Sequence, residues 1–320
     1  MKKVKFISIV VVFSIISIIT PAYPQYTYTE LLPEGANFSI AHAVNENNVV
    51  VGEYRDSSNL TKGFIYDNGV FTELNGPAYG INDNGDIVGQ DAITNNGYLY
   101  SNGSYTPLFP SGWLWAEPYE INNNGVVVGV ARQGTAQSGV NKGFIFSNGE
   151  LIVPPLPSEL SRQYFIAIND SGLIVGESNY DQMSFIYDNG AYTWLKFDPW
   201  TPVYAEDINN NGVVVGDLYD NSASFLYSNG EYTLLSFNAE SINNNGVVVG
   251  NGQIYDNGNY TSLSGWGRDI NDSGVIVGVV NNSTGFIAIP TTVVPEPISS
   301  ILFVTGGAFL AGKRFFRKIT

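Results

Sequence analysis

The chain has 320 residues, with 14 basic and 29 acidic side chains, one histidine and no cysteine. The lack of cysteine excludes disulfides and thiolate chemistry, and a single histidine, His42, excludes multi-histidine zinc sites. The net charge of −15 argues against nucleic-acid binding, because phosphates require a basic face. Half of the basic residues lie in the first five and last eight positions, so the body between them is strongly acidic.

The N-terminus predicts a secretory signal peptide. Three lysines among the first five residues precede an apolar or small run over residues 6–19, which ends before Pro21. This run is shorter than the roughly 20 residues that a transmembrane helix needs. We therefore assign residues 1–24 to a signal peptide with cleavage near Ala22, and an uncleaved membrane anchor is the alternative.

A repeated motif fills the body of the chain. An Ile-Asn or Val-Asn pair is followed by a glycine-containing turn and a valine-rich run that ends in glycine. The motif occurs seven times, at spacings of 28 to 47 residues. Its asparagines are Asn45, Asn82, Asn122, Asn169, Asn209, Asn243 and Asn271. Such self-similarity predicts a repeat architecture.

A second motif follows the first in most copies. It has an aromatic-aliphatic-aromatic triplet, an Asn-Gly pair and a short run ending in leucine, as in residues 64–74 and 185–195. Asn-Gly between two such runs predicts a β-hairpin, since both turn positions need φ > 0. Each repeat therefore predicts four short strands. Strand a ends at the Ile-Asn pair, b is the valine-rich run, c carries the triplet and d ends in leucine.

Four-stranded units of about 40 residues are typical of propeller blades. The last repeat stops after strand c, at Phe286-Ile287-Ala288-Ile289, and Tyr28-Thr29-Glu30-Leu31 resembles a strand d with no hairpin partner upstream. Pairing the two segments would remove free sheet edges. We expect residues 25–290 to form an all-β, seven-bladed β-propeller closed by the N-terminal strand. An open β-repeat array is the alternative.

The repeat resembles the HAF repeat, a motif known from extracellular bacterial proteins. The resemblance is carried by Ile-Asn, Gly and Val-Gly followed by aromatic-Asn-Gly, and it covers residues 41–289. It implies an extracellular location and a repeat architecture, and it implies no enzymatic activity.

The C-terminus carries three ordered elements. These are Val294-Pro295-Glu296-Pro297, an apolar stretch over residues 298–312, and a basic group of Lys313, Arg314, Arg317 and Lys318. The order resembles the PEP-CTERM sorting signal, although two phenylalanines interrupt the basic group. The resemblance implies recognition by an exosortase and cleavage at the motif. We assign residues 291–320 to this signal, with transient anchoring in the inner membrane; a plain tail anchor is the alternative.

Several carboxylates precede the Ile-Asn pair. In a propeller this strand lies innermost, so they could ring a central channel and act as the carboxylate pair of a glycosidase. The candidates are Glu120, Glu206, Asp207, Glu240 and Asp269. Other repeats have Ala, Gly or Ser there, which favours solvated strand ends instead.

His42 and one turn could suggest further chemistry. His42 lies in strand a of the first repeat, where we expect a structural or surface role. The turn Asn82-Asp83-Asn84-Gly85-Asp86 looks like a calcium loop, but other copies read Asn-Asn-Asn-Gly or Asn-Asp-Ser-Gly, which tight turns select. We expect no cofactor, with calcium left open.

Four tryptophans fall in or near the d-to-a connections, which vary in length. They are Trp113, Trp115, Trp200 and Trp266. The b-to-c and d-to-a connections emerge on one face of an up-and-down blade, and we call it the variable face. Tryptophans there could stack on sugar rings or pack between blades.

These features predict an exported protein of the cell surface or extracellular matrix, without enzymatic activity, that binds or structures exopolysaccharide. The PEP-CTERM resemblance supports this, because its sorting system accompanies exopolysaccharide production. The expected partners are an exosortase, the polysaccharide and, before processing, the membrane. A carbohydrate-active hydrolase using channel carboxylates is the alternative.

Overall fold

The computed structural model describes residues 25–108, 112–134, 138–178, 182–198, 201–219 and 223–291. Contacts group the chain into one unit, Tyr26–Pro290, and a second unit, Met1–Gln25 with Thr291–Thr320. Only Gln25 and Thr291 of the second unit are described, so the predicted signal peptide and sorting signal lie outside the described residues. The fold below is that of the first unit.

The described chain forms 26 strands. The first thirteen are β1 (Gln25–Leu31), β2 (Phe38–Val44), β3 (Val50–Arg55), β4 (Thr61–Asp67), β5 (Val70–Leu74), β6 (Ala78–Ile81), β7 (Ile87–Gln90), β8 (Gly97–Ser101), β9 (Ser104–Leu108), β10 (Trp113–Ile121), β11 (Val127–Gln133), β12 (Val140–Ser147) and β13 (Glu150–Ile152). The others are β14 (Tyr164–Ile168), β15 (Ile174–Ser178), β16 (Met183–Asp188), β17 (Ala191–Leu195), β18 (Val203–Ile208), β19 (Val214–Leu218), β20 (Ser224–Ser228), β21 (Glu231–Leu235), β22 (Ala239–Ile242), β23 (Val248–Asp256), β24 (Asn259–Ile270), β25 (Ile276–Val280) and β26 (Thr284–Thr291).

The strands form the six sheets of a β-propeller. Five sheets have four strands in chain order, β2 to β5, β6 to β9, β10 to β13, β14 to β17 and β18 to β21. The sixth has six strands in the order β1-β26-β25-β24-β23-β22. The all-β prediction is confirmed, since the described residues contain no helix. None of them therefore forms a helix able to span a bilayer.

The prediction of seven separate blades is wrong, because the structure has six sheets. The sixth and seventh repeats share the six-stranded sheet. Asn259–Ile270 is one continuous strand, β24, whose first part pairs with β23 and whose last part pairs with β25. The physical reason is length: these two repeats have the shortest spacing, 28 residues, which leaves no loop between strand d of one and strand a of the next.

The Asn-Gly turns have the predicted conformation. In the first repeat, Asn68 and Gly69 have φ of 47° and 88°, and the Asn-Gly pairs of the five other c-to-d turns also have positive φ at both positions. This geometry matches the right-handed twist of the flanking strands. The hairpins joining strands c and d are therefore confirmed.

The core lies between neighbouring sheets. The first aromatic residue of strand c is fully buried in five repeats, at Phe64, Phe144, Phe185, Phe225 and Phe286. Each packs with valines of strand b and residues of an adjacent sheet, as Phe225 does with Val214 and Ala167. Burying such a side chain stabilises the fold by about 2 to 3 kcal/mol.

The asparagine of each Ile-Asn pair links its repeat to the next. Asn209 is buried; its Oδ1 accepts hydrogen bonds from the backbone N–H of Asn211 and Val213 at 3.0 Å. Its Nδ2 donates to the carbonyl oxygen of Asn243, 3.0 Å away. The other repeats make the same link, and Asn271 donates to the carbonyl of Asn45 at 3.0 Å. One amide thus shapes its own turn and holds the neighbouring turn.

We predict that Asn209→Ala destabilises the fold by about 2 to 4 kcal/mol, since it removes three hydrogen bonds and leaves buried backbone groups unpaired. Asn271→Ala, which breaks the link between the last and first repeats, should cost a similar amount. Urea unfolding measures both. Asn211→Ser is the matched control, because two other repeats have serine there; an equal loss in that variant would contradict the prediction.

Candidate functional site

The innermost strand of each repeat carries a β-bulge three residues before its asparagine. In β2, Ala41 and Ala43 pair with Gly52 and Val51, and His42 between them is skipped. The same irregularity occurs in the other six repeats. The seven bulged residues are His42, Tyr79, Tyr119, Ile166, Glu206, Glu240 and Arg268. A bulge re-aims side chains, and here it brings two consecutive residues of each strand to the central channel.

The glycine that ends each valine-rich run lies opposite the bulge. A Cβ atom at Gly216 would overlap the carbonyl oxygen of Tyr204, and the six equivalent glycines face the same clash. Glycine is therefore needed to let the bulged strand approach this closely.

The bulged residues line a cavity of about 160 Å³, which we call the channel mouth. A second cavity of about 310 Å³, lined by the seven asparagines and the residues after them, lies toward the a-to-b turns. Strand a runs from the variable d-to-a connection to the asparagine turn. The channel mouth therefore opens toward the variable face, and the asparagines lie toward the opposite face.

The sequence analysis favoured solvated strand ends for the five candidate carboxylates, but all five line the channel mouth. Three of them, Glu120, Asp207 and Asp269, follow the bulge directly. Each accepts a hydrogen bond from the backbone N–H just before an asparagine of another repeat; Asp207 accepts from Ile242 at 2.9 Å. These carboxylates therefore connect repeats as well as facing the channel.

Burial raises the pKa of these three carboxyl groups. The pKa of Glu120 lies well above its ordinary value because of burial and the nearby charge of Asp207. Burial also raises the pKa of Asp207, and that of Asp269 to about 6. The Ser241 hydroxyl lies 2.8 Å from Asp207 Oδ2 and 3.1 Å from Asp269 Oδ1. It has one proton to donate, so it can bond both carboxyls only when one of them is protonated.

Two further acids lie at bulged positions. Glu240 forms an ion pair with Arg268, with Glu240 Oε2 3.2 Å from Arg268 Nη1. Its Oε1 accepts a hydrogen bond from Trp266 Nε1 at 2.8 Å. The guanidinium carbon of Arg268 lies 4.8 Å from the centre of the Trp266 ring, a cation–π contact. Burial raises the pKa of Glu206 to about 8, with the charges of Glu240 and other acids contributing.

His42 completes the ring of bulged residues beside Arg268. Its ring contacts that of Tyr79 edge-on, with centroids 5.7 Å apart. Burial lowers the pKa of His42 to about 4, and the charge of Arg268 contributes, so the imidazole is neutral near pH 7. Its Nε2 is buried and has no hydrogen-bond partner among the described residues.

The predicted tryptophans lie apart from one another. Trp113 and Trp115 are at the start of β10, paired with Gln133 and Arg132 of β11. Trp113 packs against the apolar core around Phe144, and Trp115 is half-buried. Trp266 contacts Arg268 and Glu240, as described. Trp200 and the predicted sorting residues Val294, Pro295, Glu296, Pro297, Lys313, Arg314, Arg317 and Lys318 lie outside the described residues.

The calcium-like turn uses its oxygens for protein hydrogen bonds. Asn82 Oδ1 accepts from the N–H groups of Asn84 and Asp86, and Asp83 Oδ1 accepts from the N–H of Glu46. In the described part of the chain, no three histidine, aspartate or glutamate side chains are arranged to hold a metal ion. The oxygens of this turn satisfy backbone donors of the repeat array.

Sequence reasoning missed Tyr79, Tyr119 and Arg268 as site residues. The available signal was variation: the position three residues before the asparagine holds histidine, tyrosine, isoleucine, glutamate or arginine, while the Ile-Asn or Val-Asn pair that ends the strand is constant. A repeat position that changes its chemistry on a constant scaffold is where recognition would lie.

The comparisons support the fold. A family described as "Protein of unknown function (DUF3466)" matches residues 25–151. No curated protein matches the chain. Virginiamycin B lyase from Staphylococcus aureus has a similar structure, with a TM-score of 0.58 and 14% identity over 83% of this chain and 100% of that chain. The β-propeller fold is therefore shown.

Two propellers with other printed descriptions are also similar. The WD40 β-propeller domain of Doa1 has a TM-score of 0.55 and 11% identity, covering 84% of this chain and 98% of that chain. YCF48 bound to D1 peptide has a TM-score of 0.53 and 12% identity, covering 87% and 99%. At these identities the likeness concerns the fold alone. The resemblances to the HAF repeat and the PEP-CTERM signal stay predictions.

The buried carboxyl groups predict a pH dependence. The folded-state pKa of Asp269, about 6, exceeds its ordinary value of 3.8. The folded state therefore holds the proton of Asp269 more tightly than the unfolded state does. The stability that this proton gives the fold is present at low pH and is lost as the pH rises through about 6. Between about pH 4 and pH 8 this group should lower the free energy of unfolding by roughly 1 to 3 kcal/mol. Asp269→Asn should remove that part of the decline in urea unfolding.

Asp67→Asn is the matched control, because Asp67 is exposed in an Asn-Gly turn where other repeats have serine. This control should keep the full decline. A decline that Asp269→Asn leaves unchanged would contradict the assignment.

Proposed function

We propose that the chain is an exported β-propeller of the cell surface or extracellular matrix that binds or structures an exopolysaccharide without chemically altering it. One observation carries the proposal: carboxylates and aromatic side chains converge at a channel mouth that opens toward the variable face. Binding sites are concave and combine apolar walls with a few polar groups.

The chemistry of the mouth suits a sugar. Carboxylates such as Glu206 and Asp207 accept hydrogen bonds from hydroxyl groups, and Tyr79 and Tyr119 bring aromatic rings to the same cavity. Trp115, half-buried at the start of β10, could extend the contact toward the variable face. The acidity of the chain disfavours polyanionic polymers.

Export is supported by the two ends of the sequence. Three lysines followed by a short apolar run favour a signal peptide, and the Pro-Glu-Pro motif, apolar stretch and basic group favour sorting by an exosortase. The proposed path passes through transient anchoring in the inner membrane before release at the cell envelope.

We further propose that the seven repeats form one closed ring, in which two repeats share a sheet. Three observations support closure: β1 lies next to β26, the Tyr28 and Phe286 rings are 5.6 Å apart, and Asn271 is hydrogen-bonded to Asn45. Closure would cover the edge of β26, which would otherwise be free to pair with another chain. The Asn271→Ala variant described above tests it.

A hydrolase is the second candidate, favoured by Glu206. With a pKa of about 8, this carboxyl is protonated near neutral pH and could act as a general acid, while an ionised neighbour acts as nucleophile or base. Turnover of a bound glycan, lost in Glu206→Gln, would select this function over binding.

We predict that protein recovered from the cell surface lacks both ends of the chain. Intact-mass analysis should show loss of residues 1–24 and of the basic group beyond residue 312. Full-length chain in the inner membrane would instead identify both apolar segments as plain anchors.

We predict that Trp115→Ala weakens polysaccharide binding by about 1 to 3 kcal/mol, through lost ring stacking, with an unchanged melting temperature. Affinity for the native matrix polysaccharide and for a glycan array measures it, and hydrolysis of the same glycans is followed in parallel. Trp194→Ala, on the outer strand β17, is the control and should keep full affinity.

Trp113→Ala separates stacking from packing. A fall in melting temperature with unchanged affinity would assign Trp113 to the core. The same result for Trp115 would remove it from the binding surface, and release of sugar products would replace the binding function with the hydrolase.

A further inference from the structure

The seven bulged residues divide the channel mouth into two halves. The first four repeats contribute the uncharged side chains His42, Tyr79, Tyr119 and Ile166, since the imidazole of His42 is neutral. The last three contribute the carboxyl groups of Glu206 and Glu240 and the guanidinium of Arg268. A small cavity therefore has an aromatic and apolar wall facing a charged wall.

The charged wall already contains one cationic side chain, that of Arg268. The guanidinium of Arg268 pairs with Glu240 and lies over the Trp266 ring, and Arg268 is the one permanently charged cation among the described residues that line the channel mouth. This arrangement combines a carboxylate with an aromatic face, which is how proteins hold cations. Glu240 is thereby satisfied.

Glu206, the next bulged residue, has no such partner. It is half-buried, it lines the cavity, and no hydrogen bond to its carboxyl occurs among the described residues. The charges of Glu240 of β22, Glu177 of β15 and Asp217 of β19 help to raise its pKa, and the charge of Arg268 of β24 lowers it. Ionisation of Glu206 would add a negative charge at this wall, and a second cation would offset that charge.

A second unpartnered group points to a ligand at the same cavity. The Nε2 atom of His42 is buried without a hydrogen-bond partner, although imidazole nitrogens normally have one when buried. His42 and Glu206 belong to repeats nearly opposite each other in chain order around the channel. A ligand between them could bond both groups.

We propose that the channel mouth binds the primary ammonium group of an amino sugar, with the ammonium on the Glu206 carboxylate and the sugar ring against Tyr79 and Tyr119. This inference rests on the proposed function and names the class of polysaccharide, one with free amino groups. A cation of this kind supplies the charge that Glu206 lacks, and its hydroxyl groups supply a partner for His42 Nε2.

Binding should release a proton. Glu206 has a pKa of about 8, so it is largely protonated near pH 6, whereas an ammonium ligand requires the carboxylate. Near pH 6, about one proton per ligand should therefore leave the site, and the measured binding enthalpy should depend on the ionisation enthalpy of the buffer.

Isothermal titration of the purified protein with three tetrasaccharides tests the proposal. The probes are β-1,4-linked glucosamine, N-acetylglucosamine and glucose. The glucosamine tetramer should bind about 10-fold or more tightly than the neutral two, because only it carries ammonium groups. Glu206→Gln should remove both the preference for the glucosamine tetramer and the proton release.

Glu150→Gln is the matched control, because Glu150 is exposed on β13 and should leave both effects intact. Equal binding of all three probes would overturn the ammonium site while the proposed polysaccharide binding stands. If the protein binds none of the three probes and does not bind the native polysaccharide, both proposals are overturned. Proton release in the unaltered protein provides a readout that does not depend on how the variants fold.

Discussion

The propeller depends on one repeated interaction, the hydrogen bonds of the asparagine that ends each innermost strand. Its Oδ1 accepts from backbone N–H groups of its own turn, as Asn243 does from Asn245 and Val247, and its Nδ2 donates to the next repeat, as to Asn271. A single buried amide therefore sets both the turn and the spacing to its neighbour. Because these links lie at the a-to-b turns, connections at the other ends of the strands can vary in length without disturbing them.

The bulge beside this link separates the scaffold from the site. The asparagine and the glycine of the valine-rich run are the same in all seven repeats, since the first carries the link and the second allows the close approach of two backbones. The bulged residue, which lies between the two in space, is under no such constraint. It can be His42 in one repeat and Arg268 in another without a change in the fold, so a nearly symmetric scaffold presents an asymmetric channel mouth.

The channel also concentrates charge that the fold must tolerate. Glu120, Asp207 and Asp269 bond backbone donors of neighbouring repeats, yet their burial raises each pKa. The hydrogen bonds from backbone N–H groups lower the same pKa values, so burial outweighs them here. Perturbed carboxyls are common at functional sites. Glu206 differs, because it lacks the hydrogen bonds that make the other three structural. The proposed binding site depends on this distinction between the three linking carboxylates and Glu206.

The sequence by itself determined the repeat, the four strands of most units and the hairpin turns, because Asn-Gly pairs such as Asn68-Gly69 select positive φ locally. In the sixth repeat the predicted strands b and c form one continuous strand, β23. The sequence also put the carboxylates before the Ile-Asn pair at equivalent positions of the repeat, but it favoured solvated strand ends for them, and the structure brings them to one channel. Only the tertiary structure decided the number of sheets, the bulge at Glu206 and the contact of Arg268 with Glu240 and Trp266. These features depend on how separate strands meet: a missing loop merged two repeats into one sheet, and side chains 28 residues apart became neighbours.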